Sequence, residues 1–154
     1  MPILLLAFLI GIIAGLRALT APTVVSWAAH LGWINLADTP LSFLSSPITV
    51  GILSLLALGE IFNDKRPTTP SRLVPPQFIA RVVMGGFAGA ALGLSHGPLI
   101  LGLLAGAAGA VAGTYAGAKC RGLLAKAIGN DLPAALIEDV IAVGGGLLIV
   151  SMAR

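Results

Sequence analysis

Five stretches of this chain, residues 3–33, 41–62, 78–94, 98–118 and 133–152, run almost without charge. A bilayer's hydrocarbon core is about 30 Å thick and takes about 20 residues of helix to cross, so each stretch reads as a membrane span. Only 10% of the 154 residues are charged, against roughly 25% in soluble domains, which leaves too little polar surface to face water. The expected architecture is all-α: a polytopic transmembrane helix bundle of about five spans, forming one integral domain over residues 1–154. Almost nothing is left over for a soluble catalytic domain.

The first stretch is anomalous. Thirty or so helical residues overreach the hydrocarbon core, so the helix is expected to tilt, extend past the interface or break, with a kink or break near Pro22 preferred. Orientation follows the basic residues, which collect on the cytoplasmic side. Lys65, Arg66, Arg72 and Arg81 fall between the second and third spans, and Lys119, Arg121 and Lys126 between the fourth and fifth. Five crossings then put the N-terminus in the cytoplasm and the C-terminus in the periplasm of a bacterial inner membrane. Residues 64–77 form the proline-punctuated cytoplasmic loop, and His30, Asp38 and His96 face outward.

Glycine recurs every fourth residue, at Gly11 and Gly15, at Gly85, Gly89 and Gly93, and at Gly109, Gly113 and Gly117. Such faces let helix backbones approach closely, where dispersion replaces the hydrophobic drive that lipid removes. Gly11-Ile12-Ile13-Ala14-Gly15 is similar to Gly109-Ala110-Val111-Ala112-Gly113. With three crossings between them, this similarity raises an inverted repeat of the kind many transporters use.

The charges inside or beside the spans are the costly residues. Arg17 lies too deep to reach water easily and needs a carboxylate, a freed carbonyl, a cavity or a substrate. Glu60 and Asp64 share a helix face at the end of span two, and Glu138 and Asp139 lie shortly inside span five. Two readings stand for these four acids. They converge as a proton or cation site, or they pair with Lys65, Arg81, Lys119 and Arg121 and bind nothing. Lys65, Arg66 and Arg72 are candidate contacts for anionic lipid headgroups or an anionic ligand.

Other chemistries are set aside. His30 and His96 have no ligand at metal-binding spacing, the lone Cys120 excludes an intramolecular disulfide, and no phosphate loop or nucleophile elbow is present. No enzyme, cofactor, metal or nucleic-acid partner is expected.

The run Gly15-Leu16-Arg17-Ala18-Leu19-Thr20-Ala21-Pro22, the run Gly59-Glu60-Ile61-Phe62-Asn63-Asp64-Lys65-Arg66-Pro67 with Pro70 and Arg72, and Glu138-Asp139-Val140-Ile141-Ala142 resemble a family of bacterial membrane proteins called domain of unknown function 4126. The resemblance covers nearly the whole chain. It implies a multi-span membrane protein and no assigned activity, so it brings no catalytic residues with it. Its motif positions coincide with the residues that membrane energetics marks as expensive. Two functions follow as expectations: a small transporter or channel-like permease, with Arg17, Glu60, Asp64, Glu138 and Asp139 as its substrate or ion site and a homodimer as its assembly, or a non-enzymatic structural protein that packs through its glycine faces.

Overall fold

The computed structural model describes residues 2–63 and 74–154. Among these, six α-helices and one 3-10 turn follow in order: α1 (Ile3–Leu16), α2 (Thr20–His30), the 3-10 turn Ser42–Ser45, α3 (Pro47–Asn63), α4 (Pro75–His96), α5 (Leu99–Ile128) and α6 (Asp131–Met152). The described residues contain no strand. Helices α4, α5 and α6 are long and apolar enough to cross a membrane, and α1 and α3 are shorter apolar helices.

Local chemistry sets several ends. Proline at the start of α4 fits because the first helical amides have no intrahelical partner. Gly129 takes a positive φ of 82° and closes α5 by donating its N–H to the Ala125 carbonyl at 2.8 Å. The Asn130 side chain then accepts from the Leu132 amide and caps α6.

The first apolar stretch does not form one long span. Arg17 is extended, with φ −142° and ψ 106°, and its N–H ends α1 on the Ile13 carbonyl. The break expected near Pro22 falls at residues 17–19, and Pro22 itself lies within the first turn of α2, a place that costs no helical hydrogen bond. The chain also reverses. A methyl group built on Gly146 of α6 would stand 3.2 Å from Val24 and 3.6 Å from Ile13. A continuous helix would hold Ile13 and Val24 about 16 Å apart. Helices α1 and α2 are therefore the arms of a hairpin, with its tip at residues 17–19.

The tip stops inside the bundle. Arg17 meets Asp139 on α6, and Gly15 and Leu16 meet Arg81 on α4. At 1.5 Å per residue, those partners lie about 12 Å and 9 Å inside the starts of α6 and α4. The N-terminal end of α1 thus points the same way as the C-terminal end of α6, away from the end of α3 and the start of α4. The sequence reading put the two termini at opposite ends of the bundle, whereas the helix directions bring the start of α1 and the end of α6 to the same end.

The packed centre is α1 between α4 and α5. A Cβ added at Gly106 of α5 would stand 2.9 Å from the Gly89 Cα of α4, and one at Gly11 would stand 2.9 Å from the Gly106 Cα. Gly106 is therefore pinched from both sides, and no larger residue fits without moving backbone. Gly102 is held on one side only, against the Gly89 and Gly93 backbone of α4 near the α4–α5 turn. The four-residue pattern read from the sequence did not include Gly102 or Gly106.

Helices α1 and α5 run in the same direction. Gly11 lies against Gly106 and Gly15 against Thr114, Gly113 and Ala110, while Gly109 lies against Phe8 and Gly113 against Ile12. Residue numbers rise together along the two helices, and Gly11, Gly109 and Gly113 each face the residue three before the counterpart's position. The repeated segments are thus related in parallel, and the inverted relation does not hold for this pair.

Helix α3 is different. It leans on α2 and the 3-10 turn, and only Val50 and Ala57 along it are buried.

Candidate functional site at the hairpin tip

A reversal inside an apolar bundle strands backbone groups at both helix ends, and each stranded group costs several kcal/mol if left without a partner in lipid. Two side chains from two other helices answer that need. Arg81 of α4, nearly fully buried, donates from Nη1 to the Gly15 and Leu16 carbonyls at 2.9 Å each, which closes the end of α1. Glu60 of α3 accepts the Ala18 and Leu19 amides at 2.9 and 2.7 Å, one on each carboxylate oxygen, which opens α2. Both charges also suit the helix ends they meet, cation at a C-terminus and anion at an N-terminus.

Arg17, at the tip itself, is fully buried and donates from Nε and Nη2 to Asp139 Oδ1, the Nε bond measuring 2.7 Å. The Asp139 side chain keeps 13% of its surface exposed. Below the tip, Thr23 Oγ1 meets the Leu19 and Leu53 carbonyls, and Trp27 Nε1 donates to Ser54 Oγ at 3.0 Å, tying α2 to α3.

Of the residues singled out from sequence, the structure brings Arg17, Glu60 and Asp139 to the tip. Glu138 is buried and lines a small pocket with Leu16, Gly117, Cys120 and Arg121. Asp64, Lys65, Arg66 and Arg72 lie outside the described residues. Arg121 pairs with Asp131, at 3.2 Å from Nε and 2.9 Å from Nη2, on an exposed surface where such a pair contributes little. Among the described residues no three His, Cys, Asp or Glu side chains are grouped to hold a metal ion. Sequence reasoning counted Arg81 only as one of the basic residues that set orientation and as a pairing partner. Its one signal as a site residue was a cation inside an apolar helix.

Two lateral grooves flank α3. One, about 500 Å³, opens between α3 and α4 and reaches Glu60. The other, about 360 Å³, lies between α2, α3 and α6 and is lined by Thr20, Trp27, Ser54 and Leu147. Thr20 Oγ1 is buried there with no hydrogen-bond partner.

A helical chain with three membrane-length helices and a buried ionic cluster is an integral membrane protein. A family model described as "Domain of unknown function (DUF4126)" matches residues 4–153, and the chain belongs to that family. No curated protein and no solved structure matches it.

Proposed function

We propose that this protein is a small permease of the bacterial inner membrane, built from four crossing helices, α3 to α6, and a re-entrant hairpin, α1 and α2. The observation that carries this reading is the interrupted helix, whose two ends meet ionisable side chains at membrane depth. Irregular backbone is tolerated there only when buried in protein or lining a cavity, and transporters commonly build substrate sites on such interruptions. The basic residues at the tip end put that end in the cytoplasm. Both termini are then periplasmic, and the hairpin enters from the periplasmic side. Glu60 is the coupling carboxylate of this reading, because it both holds the tip and borders a groove.

The test is flux in proteoliposomes under gradients of protons, Na+, K+, chloride and phosphate in turn, each read with an indicator for that ion. Wild-type protein should dissipate one of these gradients faster than empty vesicles do, and Glu60→Gln should slow it at least tenfold. Rates equal to those of empty vesicles for every ion contradict the permease.

A structural role is favoured by one observation, that the tip charges are engaged in closing the hairpin. In that reading the glycine faces and the basic loop, resting on anionic lipid, hold the protein against a partner or a second copy. No ion would then change the melting temperature, and a charge swap, Arg17→Asp with Asp139→Arg, would recover stability lost in either single variant.

A further inference from the structure

The groove between α3 and α4 has a chemical gradient along its length. Leu55, Leu56 and Met84 line it together with Ala80, and its tip end is bordered by Glu60 and Gln77. Glu60 is the one ionised side chain among its described lining residues. A carboxylate offers about four acceptor sites, and the Ala18 and Leu19 amides occupy two of them. Glu60 is only half-buried, so acceptor capacity remains on the groove side. An apolar channel ending on a carboxylate at membrane depth selects a ligand with a hydrocarbon chain and a cationic donor head.

We infer that this groove binds a membrane amphiphile with a protonated amine headgroup. Its chain lies along Leu55, Leu56 and Met84, and its ammonium donates to Glu60 and to the Gln77 amide oxygen. Entry is sideways from the bilayer. Helix α3 packs on α2 and the 3-10 turn, and a groove of about 500 Å³ separates it from α4. The inference rests on the permease reading and names the substrate class of that same site.

The experiment is thermal melting of the full chain in phosphatidylcholine nanodiscs, titrated at neutral pH with dodecylamine and, in parallel, with dodecanol. Dodecylamine should raise the melting midpoint saturably, and dodecanol should bind at least tenfold more weakly. Ala80 is exposed and bonds nothing at the tip, so Ala80→Trp fills the groove while leaving Glu60 in place, and it should abolish the amine shift. Glu60→Gln should erase the preference for amine over alcohol, wherever that variant folds. Equal shifts from amine and alcohol, or an amine shift that survives Ala80→Trp, overturn the site. Replacing part of the lipid with phosphatidylethanolamine distinguishes the source, because a bilayer-derived amine would weaken the dodecylamine shift by competition. Amine binding with no flux in the vesicle assay, run with dodecylamine as well as with the inorganic ions, supports the site and removes the permease. Flux without amine binding overturns the site and leaves the permease standing.

Discussion

Helices α5 and α3 are both apolar, yet they are held in opposite ways. Helix α5 is clamped between α1 and α4 by glycines whose backbones touch, so its fit is steric and covers much of its length. Helix α3 exposes Ile48, Leu55 and Phe62 each by more than 70% and has open space around Gly51 and Gly59. What fixes α3 is polar: Glu60 on the tip amides, the Leu53 carbonyl on Thr23, and Ser54 under Trp27. In lipid, dispersion between close backbones gives a rigid unit, whereas a few hydrogen bonds give an attachment that a single protonation or substitution can loosen.

The largest effect should come from the ion pair that joins the tip to α6. Asp139→Ala removes the carboxylate that the buried Arg17 guanidinium meets and should cost about 3–5 kcal/mol, read as a lower unfolding midpoint in detergent titrations. Gly106→Ala should follow, at about 1–3 kcal/mol, because the added methyl meets backbone on α4 that cannot rotate aside. Glu60→Gln keeps one acceptor oxygen but turns an NH2 toward an amide donor, for about 1–3 kcal/mol. Hydrogen exchange should report that loss chiefly in α2 and α3, with α5 still protected, and uniform loss along the chain would break the contrast between the two regions. Gly51→Ala should be the smallest change and of opposite sign, a gain of up to about 1 kcal/mol from helix propensity with nothing in the way.

Much of this was legible in the sequence. The scarcity of charge gave the class, and the apolar runs gave α4, α5 and α6, although α5 continues to Ile128 where the sequence reading stopped at residue 118. The cost of burying charge singled out Arg17, Glu60, Asp64, Glu138 and Asp139; Arg17, Glu60 and Asp139 stand at the tip, Glu138 lines a separate small pocket, and Asp64 lies outside the described residues. The reversal was hidden because hydropathy is a scalar along the chain. A hairpin and a long broken or tilted helix of the same residues score alike, so the break near Pro22 was legible and the change of direction at it was not. The groups that make the turn affordable, Glu60 and Arg81, come from helices far along the chain. The direction of α1 relative to α5 was hidden for the same reason, since counting crossings inherits any error in the first one.

The account depends on the hairpin, and the hairpin fixes which side each terminus faces. With a cysteine appended at each end in turn, in a Cys120→Ser background, a membrane-impermeant maleimide should label both ends from outside intact cells. The native Cys120, at the tip end, should label only after permeabilisation. An N-terminal cysteine that behaves like Cys120, while the C-terminal one labels from outside, would contradict the reversal at Arg17 and return the first apolar stretch to a single crossing.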